Sequence, residues 1–181
     1  MSVLMAPNAL TLAGPSDAPR SGWTVAYKQV IRTLYKQVMR TLYTEITIHA
    51  TPSKIWSILT AFDRYPEWNP FIKSIQGTVI VGKTFRVILQ SPNAKPMTFS
   101  PKCLRLDIDR EFRWLGHLFL PGLFDGEHIF ELVDKSDRTK FVQRELFKGI
   151  LVPLLWKQLN TKTRKGFELM NQELKELAEK L

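Results

Sequence analysis

The sequence predicts an α+β domain: a seven-stranded antiparallel sheet wrapped around one long C-terminal helix, with two short helices after the first strand. Three observations carry that prediction. Strand-like alternation at 44–49 is followed at once by a capped helix. Six further strand-like runs, separated by turn residues, fill 74–147. Residues 153–180 then repeat their apolar positions at helical spacing. A chain of 181 residues suits one domain of this kind.

The elements follow in order. "TEITIHA" (44–50) sets Ile46 and Ile48 between polar neighbours, as a half-buried strand does. In "ATPSKIWSILTAF" Thr51 is a helix cap and Pro52 suits the first turn, where its missing N–H costs nothing. Ile55, Ile58, Leu59 and Phe62 make the apolar face. "FDRYPEWNPFIKSIQG" (62–77) places Phe62, Tyr65, Trp68 and Phe71 around Pro66 and Pro70. Two prolines bar a long helix there, and four aromatics are too many for an ordinary surface loop. The segment therefore reads as a stiff turn over apolar space, either framing a cavity or plugging the end of the core. Strand-like runs lie at 74–81, 84–90, 97–108, 111–119, 126–133 and 139–147, with turns at Gly82, Pro92-Asn93, Asp109-Arg110, Pro121-Gly122 and Ser136-Asp137. In the last element Leu155, Trp156, Leu159, Phe167, Met170, Leu174, Leu177 and Leu181 keep helical spacing. Gly166 interrupts it at a cost of about 0.5–1 kcal/mol relative to alanine, which marks a bend or a close approach by another group. One helix cannot tightly cover a sheet so wide, so a cavity between the two is expected.

The N-terminal part is different. Residues 1–26, rich at first in Pro, Gly, Ser and Ala, read as a flexible tail. A tandem repeat follows, "YKQVIRTL" (27–34) and "YKQVMRTL" (35–42), then Tyr43. Its apolar residues fill one half of a helical wheel, while Lys28, Arg32, Lys36 and Arg40 fill the other. A basic amphipathic helix over 27–43 is expected, bordering a domain at 44–181. Its four bases would suit peripheral contact with an anionic membrane, or else the repeat is a duplicated extension without a role.

Charge and composition exclude several classes. Of the net charge of +9, residues 1–43 carry +4, leaving a modest excess for the rest and no dense basic face. Nucleic acid is therefore not an expected partner. No run of 18 apolar residues spans a membrane, and the first residues lack the basic start of a secretory signal. The lone Cys103 fits a reducing compartment, so a cytoplasmic protein is expected. His49, His117 and His128 are not at metal-ligand spacing, and no phosphate-loop, dinucleotide or nucleophile-elbow motif is present. Neither a metal nor a cofactor is expected.

"ATPSKIWSILTAFDRYPEWNPFI", "PGLFDGEHIFEL", "FVQRELFKGILVPLL" and "GFELMNQELKELAE" together resemble the SRPBCC, or START-like helix-grip, superfamily, which includes polyketide cyclase/dehydrase-like and lipid-transport proteins. The resemblance covers 44–180. It implies a deep apolar cavity between sheet and C-terminal helix, with Tyr65, Trp68 and Phe71 beside its entrance.

Period two in "GEHIFEL" places His128, Phe130 and Leu132 on one face, the one more suited to the cavity. There His128 is the first suspect for a general base or a ligand hydrogen bond, against the blander role of a satisfied core histidine. In "EFRWLGHLF" Phe112 and Trp114 suit the inner face. "FVQRELF" leaves two sets open, Phe141, Gln143, Glu145 and Phe147 against Val142, Arg144 and Leu146. A buried Glu145 would need a partner such as Arg113 or Arg144. Leu59, Trp68, Phe71, Phe85, Phe99, Trp114, Phe124, His128, Phe130, Leu155, Leu159 and Met170 are the candidate ligand wall. The expected function is binding, and by extension transport, of a hydrophobic small molecule such as a lipid, isoprenoid or polyketide-like compound. The alternatives are a cyclase or dehydratase working in the same cavity, and a protein-interaction module like the superfamily's heat-shock ATPase activators.

Overall fold

A computed structural model describes residues 39–118 and 120–180. The expected tail at 1–26 and the first twelve residues of the repeat helix, 27–38, lie outside the described residues. Strand β1 (Met39–Ile48) leads into α1 (Pro52–Thr60), a single 3-10 turn (Phe62–Arg64) and α2 (Tyr65–Trp68). Seven strands follow: β2 (Ile72–Gln76), β3 (Arg86–Leu89), β4 (Met97–Phe99), β5 (Lys102–Asp107), β6 (Glu111–His117), β7 (Asp125–Asp134) and β8 (Thr139–Lys148). The chain closes with α3 (Val152–Gln158), a π-helical turn (Leu159–Thr163) and α4 (Arg164–Lys180). The architecture is the expected α+β helix-grip. Among the described residues no helix is long and apolar enough to cross a membrane.

Two local expectations are corrected. Residues 39–43, read as the end of the repeat helix, are the start of β1. They pair with β8 from Met39–Lys148 onward, and Leu42 is fully buried. The stretch "MRTLY" satisfies both a helical and a strand pattern, and a ten-residue ladder with β8 decides between them. The run 97–108 is two strands, because Pro101 has no N–H to give a ladder. The strands consequently form a five-stranded sheet, ordered β1-β8-β7-β6-β5, and a three-stranded sheet, ordered β2-β3-β4. Both are antiparallel. A bridge between Thr84 and Lys102 joins them, with Phe85 N–H donating to the Pro101 carbonyl at 3.0 Å.

Thr51 caps α1 as expected, its hydroxyl accepting from the Lys54 N–H at 3.3 Å. The core fills the space between the five-stranded sheet and α4, where Phe112, Phe130 and Phe141 of the sheet belong to one buried cluster with Phe167, Met170 and Leu174 of the helix. Strand register lines up Cys103, Trp114, His128, Glu145 and Leu42 side by side across five strands, all on that inner face. Gly166 is a close approach: a Cβ there would fall 2.4 Å from Cδ2 of Phe71. Without a glycine, Phe71 could not lie against the helix and stack edge-on to Phe167, whose ring centre is 5.2 Å away.

Candidate ligand cavity

A cavity of about 190 Å³ lies between the two sheets and the C-terminal helices. Val87 and Leu89 of β3 and Met97 and Phe99 of β4 form one wall. Trp114, Gly116, Phe124, Gly126, Glu145 and Phe147 form the opposite one, and Leu155, Leu159 and Thr163 close it from α3 and the π turn. Lys95, Met97 and Gln158 are exposed at its rim. π turns of this kind widen a helix by one residue and recur where a helix serves a site.

The structure brings six of the twelve expected wall residues together at this cavity: Phe71, Phe99, Trp114, Phe124, Leu155 and Leu159. The other six are elsewhere. Leu59, Phe85, Phe130 and Met170 are core residues with almost no exposure. Trp68 lines a shallow surface groove with Pro66, Lys73, Glu173 and Leu177, so the aromatic–proline segment mostly seals the core and reaches the cavity only through Phe71. Tyr65 is likewise buried, its hydroxyl donating to the Leu59 carbonyl at 2.8 Å.

His128 lies behind the wall. Its ring stacks on Trp114 at 4.7 Å between centres, with Phe130 at 4.5 Å and Phe167 at 4.9 Å. So enclosed, a charged imidazole has no solvation, and burial pushes its pKa down to about 3. It is therefore neutral at physiological pH and, of the two roles weighed for it, its position matches the enclosed core histidine rather than a base facing the cavity. The Gln143 side-chain amide nitrogen lies 3.1 Å from Nε2. With that nitrogen donating, the ring carries its own proton on Nδ1, which faces Glu145 Oε2 at 3.7 Å.

Glu145 is the ionisable residue that the site expectation lacked. Of the two faces left open in β8, Phe141, Gln143, Glu145 and Phe147 is the inner one. The two arginines expected as partners are engaged elsewhere, Arg113 with Glu111 and Glu127, and Arg144 with Glu131. The Glu145 carboxyl instead lines the cavity, its side chain only 12% exposed. Loss of water around it pushes its pKa up to about 8. The acid form thus predominates at neutral pH. The signal in the sequence was the flanking pair Phe141 and Phe147, large aromatics one strand period from Gln143 and from Glu145 respectively. A second polar group continues inward from the site: Asn171 of α4 donates to Thr44 Oγ1 at 3.0 Å, which donates to the Gln143 carbonyl at 3.2 Å.

An antiparallel sheet gripping a long helix, with an apolar cavity and one enclosed carboxyl between them, defines a helix-grip protein. The chain belongs to the polyketide cyclase/dehydrase and lipid transport family, whose profile matches residues 39–181. A search of curated protein sequences finds no match. Among solved structures, the di-domain ARO/CYC StfQ from the steffimycin biosynthetic pathway superposes with a TM-score of 0.68 at 10% identity, over 89% of this chain and 61% of that one. The chain thus spans less than two thirds of that di-domain protein. The Zhui aromatase/cyclase from a Streptomyces species gives a TM-score of 0.64 at 14% identity, covering 78% of this chain and 94% of that one. Norcoclaurine synthase from Thalictrum gives 0.60 at 14% identity, with the same coverage of 78% and 94%. At such identities the likeness is one of fold.

Proposed function

We propose that the protein binds a hydrophobic small molecule, such as a lipid, isoprenoid or polyketide-like compound, in this cavity and holds its polar end at Glu145. The observation that carries the reading is a largely apolar wall containing one carboxyl kept in its acid form. A carboxylic acid in such a place donates a hydrogen bond to a ligand carbonyl or hydroxyl oxygen, which fixes orientation while the aliphatic and aromatic wall supplies affinity. Reversible binding of this kind is also what a carrier needs. Native mass spectrometry before and after organic extraction tests it. An added mass that extraction removes supports the reading. A clean mass, together with no uptake of a fluorescent fatty acid, overturns it.

A second reading, a cyclase- or dehydratase-type enzyme, is favoured by the same carboxyl. A pKa near 8 lets Glu145 deliver a proton to a carbonyl or departing hydroxyl oxygen near neutral pH and recover it afterwards. The aromatase/cyclases that share this fold point the same way. Under this reading His128 positions the carboxyl and Glu145 does the chemistry. Turnover of a polyketide-like substrate that vanishes in Glu145→Gln, with ligand binding retained, separates enzyme from carrier.

A further inference from the structure

We propose that the surface beside the cavity is a docking site for an anionic lipid bilayer, formed by the aliphatic side chains of Leu120, Ile150 and Leu154 together with Lys148, Lys157 and Lys162. The three aliphatics are 66%, 68% and 80% exposed; Ile80, Val81 and Ile108 are also more than half exposed, but they lie in other turns of the chain. They come from two segments that touch: Ile150 N–H donates to the Gly122 carbonyl at 3.4 Å, and Leu151 N–H to the Leu123 carbonyl at 3.1 Å. Gly149 permits this contact, since a Cβ there would fall 2.3 Å from the Leu123 carbonyl oxygen and its φ of +130° suits glycine. The exposed side chains are therefore displayed on backbone that is held in place.

Their position relates them to the cavity. Leu118 and Phe124, at the two ends of the first segment, line it, and so does Leu155, next to Leu154. Their charge surroundings select the partner. Residues 146–167 contain five bases and no acid. Lys148, Lys157 and Lys162 are exposed and make no ion pair among the described residues. Asp125, the acid close to this corner, is occupied by His117 Nδ1 at 2.6 Å and by the Gly122 N–H. Arg40 brings one more base to this end of the sheet, since Met39 pairs with Lys148 and Arg40 with Phe147. Three aliphatics on a loop, a turn and the first turn of a helix offer a protein partner few directional contacts, whereas a bilayer asks only for apolar side chains to reach below its headgroups and cations to sit among anionic ones. Docked in this way, the cavity opens toward the membrane, and an apolar ligand passes between the two without crossing water.

The test is flotation of the full chain with phosphatidylcholine vesicles, with and without phosphatidylglycerol. Wild-type protein is expected on the anionic vesicles and is released by high salt. The surface variant Ile150→Glu/Leu154→Glu is expected to bind about ten-fold more weakly or worse, with an unchanged circular dichroism spectrum. A full chain with Lys28, Arg32 and Lys36 replaced by Gln keeps measurable binding. Wild-type protein that ignores anionic vesicles overturns the proposal, as does a double variant that binds like wild type. A dimer in light scattering that the double variant dissolves also overturns it, because a second copy then covers the patch. Ligand retention in native mass spectrometry reads the cavity separately, so failure of docking is distinguishable from failure of the binding function.

Discussion

A Cβ added to Gly126 would lie 2.4 Å from Oε1 of Glu145. A glycine weakens the middle of a strand, and this one is there because the carboxyl of the neighbouring strand rests over its bare α-carbon. Gly126→Ala is expected to leave the fold intact while swinging the carboxyl aside. Affinity for a ligand with a carbonyl or hydroxyl end then falls about ten-fold, the loss of roughly one hydrogen bond, and affinity for a plain hydrocarbon does not. Titration of matched polar-ended and hydrocarbon ligands checks this.

Stability should depend on pH with two edges and a flat middle. Glu145 has a folded pKa raised to about 8, so the stability it contributes is complete below its unfolded value and is lost as pH rises through 8. His128 has a folded pKa lowered to about 3, so its contribution is present above its unfolded value and is lost as pH falls toward 3. Between the two unfolded values, about 4.3 and 6.5, the slopes cancel, because the proton lost by the imidazole on folding is matched by the one gained by the carboxyl. Outside that window each edge has a slope of at most about 1.4 kcal/mol per pH unit. Urea titrations across pH should show both edges. Glu145→Gln should abolish the alkaline edge and let the acid slope run on to about 6.5, since nothing then cancels it, and an alkaline edge that persists in this variant belongs to another group.

Gly166→Ala should destabilise the protein although alanine is the better helix former. The helical gain is about 0.5–1 kcal/mol. Against it, the new methyl would meet three ring atoms of Phe71 at 2.4 to 3.1 Å, and overpacking of that kind costs about 1–3 kcal/mol. A loss of about 1–2 kcal/mol in chemical denaturation is expected, smaller when Phe71→Leu is present as well.

Gly116 is the opposite case. It lines the cavity, and the nearest atom to an added Cβ is that of Pro101 at 3.8 Å, an ordinary contact. Gly116→Phe should fill the cavity, leave stability unchanged or slightly higher, and abolish ligand uptake measured by displacement of a fluorescent fatty acid.

The large elements were legible because periodicity records which face is buried. Helix α4 and the inner faces of β6 and β7 could be read from spacing alone. Strand β8 could not, since Arg144 and Glu145 put a charge on each face, and only its register against β7 shows that Glu145 opposite His128 is the inner one. The cavity wall was half legible for a related reason. Phe85, Phe130 and Met170 have the same composition and spacing as Phe99, Phe124 and Leu159, and which set meets empty space depends on how the two sheets part. Gly126 and Gly116, which shape the site by lacking side chains, carry no periodic signal at all.

The division of the strands into five and three gives the cavity one stiff half and one compliant half. Trp114, Glu145 and Phe147 stand on long ladders whose disruption would mean unfolding the domain. Val87, Leu89, Met97 and Phe99 stand on short strands whose connection to β5 is a single bridge and a few loop hydrogen bonds. The free energy of displacing the smaller sheet is therefore set locally, apart from global stability. A ligand too large for the resting volume enters at the expense of that local opening, and the range of sizes accepted is set by β3 and β4 rather than by the strands that carry the carboxyl.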